Sequence, residues 1–442
     1  MRSRTLRSGR NEPYRILALT FAVALSFAQT SWAFCGFYVA TSDEPLINTA
    51  SVVVLAHNGD RTAVTMASDV KGDPKQFAIV IPVPTVIRRD QVRTVSPAIV
   101  KHLAEFTKPR VVEYEDPDPC PPPPPTPSLW ARLFGPEEPP QMVASAAPAP
   151  PSVRIEAQFS VAEYDIVVLS ATDSGDLLTY LNHTGYKVPR AAEPTVRSYL
   201  RQHMHFFLAK VNPTRLAERK SDFLDPIQVT YASPKFMLPI RLGTVNAAGP
   251  QDMVVLALTQ TGRVETTNYR TRRMPTGADV PMFVQREFGA FYDAAFEREW
   301  QASADAVFLE YAWNIGDMPC DPCSAEPLSR EELQALGADW VGPSQSPWTT
   351  AGPAFVTRMH VRYDRARFPE DLALQETGDK ESFQVRFVTH RPFTGDLSCP
   401  AGRQYQAMRA QRGAEAASTA AKLTGWQPER IGAEMRADHE LE

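Results

Sequence analysis

Cysteine, histidine and glycine are scarce in this 442-residue chain, at 5, 8 and 22 residues, while proline is abundant at 40. No Gly-x-Ser-x-Gly, His-Glu-x-x-His, phosphate-binding glycine loop or dinucleotide fingerprint occurs, so the common hydrolase and nucleotide chemistries have no motif to rest on. Positive charge is short as well: 46 Lys and Arg face 51 Asp and Glu, for a formal net charge of −5. A general nucleic-acid binder needs a broad basic surface against phosphates, and the balance here has the wrong sign. Apolar runs of roughly 20 residues, the length that crosses a bilayer, are missing throughout.

What is present begins at the N-terminus. Arg2, Arg4, Arg7, Arg10 and Arg15 stand against one acid, Glu12, and an apolar-to-neutral run follows from Ile16 to Ala28. These are the charged and apolar regions of a secretory signal peptide, and Ser31-Trp32-Ala33 supplies the small residues that signal peptidase requires. Cleavage is expected after Ala33. A lipoprotein signal is excluded because Phe34 precedes Cys35, and a twin-arginine signal because no two arginines in this region are adjacent. Residues 1–33 therefore read as a signal peptide, and the mature chain as extracytoplasmic, periplasmic or secreted, with no transmembrane segment left. Losing five arginines and one glutamate takes the formal net charge from −5 to −9.

All five cysteines, Cys35, Cys120, Cys320, Cys323 and Cys399, fall in the mature part, where an oxidising compartment favours pairing and an odd count leaves one thiol over. Cys35 and Cys120 flank the first folded segment and are the expected pair. Cys320 with Cys323, or either of them with Cys399, stays open.

Fourteen of the prolines lie between Pro117 and Pro151. A segment of that composition joins neither helix nor sheet, so 117–152 reads as a polyproline-type linker or surface insertion. It separates an N-terminal β-rich part, 34–116, from a C-terminal α+β part, 153–412, with a helical and charged tail over 413–442. In the first part, 51–57 and 61–68 form a hairpin around Asn58-Gly59, followed by a strand over 77–82, a helix over 97–106 and a strand over 110–114. In the second, strands are expected at 153–161, 164–170, 205–211, 227–231, 236–242, 253–259, 263–269, 307–313, 355–363 and 383–390. The 253–259 and 263–269 strands read as another hairpin. Helices are expected near 176–182, 193–202, 286–304 and 402–423, and Ser329-Arg330-Glu331-Glu332 is a capping box that starts one more. Val254-Val255-Leu256-Ala257 echoes Val53-Val54-Leu55-Ala56, for which two ordinary hairpins are a better account than an internal duplication. Strands without regular βα alternation indicate an α+β protein, mainly antiparallel sheet with a few flanking helices, in two lobes separated by the Pro-rich segment.

Several strings occur together in order: Phe34-Cys35-Gly36-Phe37-Tyr38-Val39, Phe77 to Pro84 (FAIVIPVP), Tyr114-Glu115-Asp116-Pro117, Pro234 to Arg241 (PKFMLPIR) and Cys320-Asp321-Pro322-Cys323. With them the chain resembles an uncharacterised bacterial family of secreted proteins, domain of unknown function 2330, over nearly all of the mature part except the proline-rich stretch and the tail. The resemblance implies an exported bacterial protein and assigns no catalytic or binding residue.

Cys320-Asp321-Pro322-Cys323 is the sharpest chemical motif. A redox Cys-x-x-Cys sits at a helix N-terminus, where the helix stabilises the thiolate. Here Pro327 would break such a helix and the capping box moves the next start to Ser329, so a structural disulfide or loop clip is favoured over catalysis. A zinc site would have to recruit Cys399, His360 or His390, and no second paired-ligand spacing supports one. His203 and His205 read as a polar face beside a strand, and Glu115-Asp116-Asp118 as a solvated stretch, since it lacks the spacing of a calcium loop. Ser68-Asp69-Val70-Lys71 matches Ser-x-x-Lys by letter only, because a strand ends there. Along 355–363, Arg358, His360 and Arg362 share one side; Arg386 and His390 do the same on 383–390. Together, extended by Arg270, Arg272 and Arg273, they would make a cationic sheet face able to receive an anionic envelope polymer or a protein partner, against the plainer reading of a solvated face neutralised by Asp364, Glu370 and Asp371.

The sequence therefore favours a non-catalytic extracytoplasmic binding or structural protein. No cofactor or metal is assigned. The alternative is a thiol-disulfide redox enzyme using Cys320 and Cys323.

Overall fold

The computed structural model describes residues 31–32, 37–40, 47–71, 77–120, 154–184, 186, 188–219, 224–245, 247, 249–316, 325–344 and 351–438. Residues 1–30 of the expected signal peptide, Cys35, Cys320, Cys323 and nearly all of the proline-rich segment lie outside them.

The hairpin Ile47–Asn58 and Arg61–Lys71 forms as the alternation requires, with Asn58 opposite Arg61 and Gly59 at φ 59, the left-handed geometry a two-residue turn needs. Its first strand is apolar on both sides and cannot sit at an edge. It pairs on one side with its hairpin partner and on the other, in parallel, with Gln251–Thr259. The 251–259 strand is buried at every position and pairs antiparallel with Phe355–Tyr363. The sheet continues through Ala306–Asn314 to the parallel edge strand Arg270–Arg273, and at the other end through Ile227–Ala232 to Val92–Thr94. Ser31–Trp32 adds a two-residue parallel pairing to Gln251–Asp252.

A second, antiparallel sheet runs Phe37–Ala40, Phe77–Val83, His205–Val211, Tyr164–Ser170, Arg154–Val161. Alternation places its residues in two clusters. Ile79, Ile81, Val83, Phe207, Ala209 and Val211 meet Val53, Leu55, Val255 and Ala257 of the first sheet, while Ala78, Val80, Phe206 and Leu208 face the helices Ser174–His183 and Glu193–Arg201. The first sheet's far side, Val54, Leu256 and Leu258, packs on Pro97–Thr107 and Arg330–Ala335. The layers are thus helix, sheet, sheet, helix, each fully buried Val or Leu contributing about 1.5–3 kcal/mol.

Sheet class and the mainly antiparallel pairing agree with the sequence. The expected two lobes do not form. Strands from before and after the proline-rich segment pair side by side in both large sheets and interleave in the first, because a strand apolar on both faces needs partners wherever the chain can supply them. The 253–259/263–269 hairpin is also replaced: Val264–Thr266 pairs with Leu372–Glu376 in a small separate sheet that also holds Met237–Leu238. Val53 pairs with Val255 and not Val254, so residues matched by the sequence echo point to opposite faces, and the echo is no structural repeat. Gly337, at φ 101, lies against Ala63, where a Cβ would come within 2.5 Å; the helix it ends can pack closely on the hairpin for that reason. A second small sheet, Ala278–Asp279, Arg386–Arg391 and Arg110–Glu115, sits beneath the long helix Pro400–Thr424. The charged tail forms a further helix, Pro428–Ala437, with Ile431 and Met435 buried.

Candidate binding site

The cationic residues of strand 355–363 do share one side, but that side is covered. The helix Phe288–Ala302 lies over it, stacking Phe296 on His360 at 3.8 Å between ring centroids. Neighbouring strands supply the counter-charges. A bulge at Glu310 sets both Glu310 and Tyr311 opposite Arg358, which aims the Glu310 carboxylate into the row. Arg358 Nε donates to Glu310 at 2.5 Å; His360 lies between Glu310, at 3.1 Å, and Asp252, at 3.2 Å; Arg362 forks onto Asp252 at 2.7 and 2.9 Å and reaches Glu297. The Tyr292 hydroxyl also donates to Glu310. Burial pushes the Glu310 carboxyl up, but Arg358, His360 and Tyr292 outweigh it and hold its pKa at about 2. Burial likewise opposes charging of His360, yet Glu310 and Asp252 raise its pKa above the ordinary 6.5. The row is a closed ionic ladder with its charges matched internally, which corrects the expectation of an exposed cationic face: side-chain alternation shows which residues share a side and carries no information on what packs there.

Arg386 and His390 stand elsewhere. Arg386 donates to the Tyr114 hydroxyl at 3.3 Å. His390 lies between Asp116, at 3.5 Å, and Asp279, at 3.3 Å. Of the edge arginines, Arg272 bonds Ser303, and Arg273 pairs with Glu381 and lies over Phe383. The Asp116 side chain is 6% exposed and held by Arg412 and by the Tyr405 hydroxyl at 2.8 Å, so the Glu115-Asp116-Asp118 stretch is not simply solvated. Beside this clamp Cys120 is bonded to Cys399, which caps the long C-terminal helix by accepting from the Gly402 amide at 3.1 Å. The expected Cys35–Cys120 pair is corrected accordingly: the partner is brought back by folding from 279 residues away, a contact no local spacing reveals. Cys399, His360 and His390 thus sit in three different settings and form no zinc set. Ser329 caps helix 330–335 through a reciprocal bond with Glu332, as the capping box requires; the Cys-x-x-Cys motif before it lies outside the described residues. Ser68–Lys71 ends a strand.

Two sequence strings meet around a cavity of about 190 Å³. Pro82 and Pro84 end one strand, and Pro234, Lys235, Met237 and Pro239 come from the PKFMLPIR string; Tyr231, Ser233, Gln202 and Met204 complete the lining. The string is held in place by an unusual number of bonds. Phe236 stacks on His57 at 3.8 Å, and Met237 and Leu238 pair with Ala373 and Leu372. Buried Asp371 accepts from the Tyr199 hydroxyl at 2.6 Å, from the Ile240 and Arg241 amides, and from the Arg241 guanidinium at 2.8 and 3.0 Å. Across the cavity, His203 takes the left-handed conformation, φ 58, that ends helix 193–201, and this turn presents Met204. His205 points to a different set of partners. Its Nδ1 bonds Ser170, whose hydroxyl donates to Glu156. In that chain serine lies between histidine and acid, so the acid does not orient the histidine as a hydrolytic triad requires. None of the cavity's residues stands out as a site residue in the sequence. The concentration of proline and methionine in two strings is the available signal.

The family described as an uncharacterized protein conserved in bacteria, DUF2330, matches residues 29–375. The chain belongs to the DUF2330 family. Both cavity-forming strings fall inside the DUF2330 match, whereas strand 386–391, Cys399 and the two C-terminal helices fall beyond it, so the match stops short of the extent read from the strings. Neither a curated protein nor a solved structure matches the chain.

Proposed function

We propose that this DUF2330 protein is exported and works outside the cytoplasm as a non-catalytic binding protein whose ligand enters the proline-walled cavity. The observation that carries the reading is the cavity lining: four prolines, two methionines and a tyrosine, with no histidine or carboxylate among the described residues to act as a base. Ser233 is the one lining hydroxyl besides Tyr231, and its Oγ accepts from the Lys235 amide at 3.1 Å. Rings fixed in φ, with the Ile240 and Arg241 amides that follow Pro239 bonded to Asp371, make a preformed, largely apolar recess, the usual form of a small-ligand site. A larger hollow of about 370 Å³ on the other side of Tyr231 is less suited, because its cations are engaged: Arg61 with Asp339 at 2.6 Å, Arg93 with Gln228 and two main-chain carbonyls.

Export is supported by the N-terminal signal and by a disulfide between Cys120 and Cys399, a bond that persists in oxidising compartments. Cleavage after Ala33 would remove only the two-residue pairing at Gln251–Asp252 and leave the 251–259 strand bonded on both sides. N-terminal sequencing of protein released from the periplasm should begin at Phe34; a retained Met1 would sink export by cleavage. For binding, a low-molecular-weight envelope extract should raise the melting temperature of the wild type and leave Met237→Trp, which fills the cavity, unmoved. Equal shifts in both would remove the cavity from the account.

A further inference from the structure

The cavity has a polarity of its own. Its inner end, framed by Pro82, Tyr231 and Pro239, shares those three residues with a second, much smaller apolar space of about 10 Å³ walled by Val64, Met66, Ile81, Val229 and Leu238, between the two sheets. Its outer end carries Lys235, an exposed side chain with no ion pair among the described residues. A ligand body therefore meets apolar surface inside and one positive charge at the mouth. The volume, about 190 Å³, is below the roughly 300–1,000 Å³ of sites that take a drug-sized ligand whole, which limits the occupant to one ring or short chain. Two thioethers, Met204 and Met237, and the Tyr231 ring favour an aromatic body, since sulfur–aromatic and ring–ring contacts add to plain area burial.

We infer that the cavity binds a small aromatic monocarboxylate, its ring between Met204, Met237 and Tyr231 and its carboxylate at the Lys235 ammonium. This rests on the reading of the cavity as the binding site and adds the ligand class. Gln202, exposed at the same mouth, offers a second donor within the lining.

The test uses the exported chain with ¹³C-methyl methionine, so that Met204 and Met237 report directly, titrated with 3-phenylpropionate, its neutral amide 3-phenylpropanamide, and hexanoate. Both methyl signals should move with 3-phenylpropionate, which should bind about 2–5-fold more tightly than the amide, the range of one partly exposed ion pair. Lys235→Met, at an exposed position, should erase that difference. Equal affinities of acid and amide in the wild type, an unaltered preference in Lys235→Met, or tighter binding of hexanoate than of 3-phenylpropionate would each overturn the ligand class while the cavity still binds. Signals of Met204 and Met237 that none of the three compounds moves would overturn the binding site itself.

Discussion

Replacing Cys399 by serine removes one covalent bond and little else, since the serine hydroxyl can still cap the helix that Cys399 begins. The loop closed by Cys120 and Cys399 spans 279 residues. In the chain-entropy account a loop of that length restricts the unfolded state by roughly 5–6 kcal/mol, a ceiling; disulfides commonly deliver about 2–4 kcal/mol. The native state should keep its local geometry, because Asp116, Arg412 and Tyr405 hold the same junction together without the bond. The loss should therefore come from the unfolded side. For 442 residues the unfolding entropy is ~0.9 kcal/mol/K, so the melting temperature should fall by about 2–4 °C, and by about 6 °C at the ceiling. Calorimetry of Cys399→Ser beside the oxidised and reduced wild type would show this, with Cys399→Ser and the reduced wild type moving together if no other disulfide contributes. An unchanged midpoint in Cys399→Ser, or a peptide map that joins Cys120 to Cys35, would refute the reasoning.

The ionic ladder gives two further expectations. His360→Gln leaves Glu310 and Asp252 without their shared cation and should cost about 3–5 kcal/mol in urea unfolding at pH 6, the usual result of breaking a buried pair; a cost under about 1 kcal/mol would mean the ladder is open to water. Its pH dependence has a definite sign. Because the folded His360 pKa is raised, its contribution is complete below about pH 6.5 and fades as pH rises through the folded value, so the wild type should lose stability on the alkaline side more than His360→Gln does. Glu310, held at about 2 against an ordinary 4.5, contributes above pH 4.5 and loses roughly 3 kcal/mol as pH falls toward 2; acid unfolding of Glu310→Gln with the same slope as wild type would contradict that. Asp371→Ala strands the Arg241 guanidinium and the Ile240 amide, so it should lower stability by about 3–5 kcal/mol and, in the folded fraction, weaken 3-phenylpropionate binding; unaltered Met237 methyl shifts would show the wall does not depend on Asp371.

Local order is legible in the sequence wherever a residue's own neighbours decide it. Strand 355–363 and the Ser329 cap form as expected, because alternation and a capping box are short-range signals. Helix 428–437 carries such signals too, Pro428 at its start and Ile431 and Met435 four apart, although its charge gives it the look of a solvated tail. The expectations that fail are long-range. Strand 251–259 could have turned back on 263–269; instead 355–363 and 47–58 flank it, and only the full set of apolar faces competing for cover decides that. Alternation places Arg358, His360 and Arg362 correctly on one side and says nothing of their exposure, because helix 288–302 covers them from a distance in sequence. Asp371, a surface counter-ion by its local sequence, is the carboxylate that holds the chain just after the lining residue Pro239, and nothing near it in the chain distinguishes the two.

The central claim is that the proline-walled recess between Pro82 and Pro239 is where this protein binds its ligand. A crystallographic soak of the exported form with a library of small fragments tests it most directly. The account predicts fragment density between Met204, Met237 and Tyr231, with acidic fragments turned toward Lys235. Fragments that gather instead at the hollow beside Arg61 and Arg93, with the recess left bare, would contradict it.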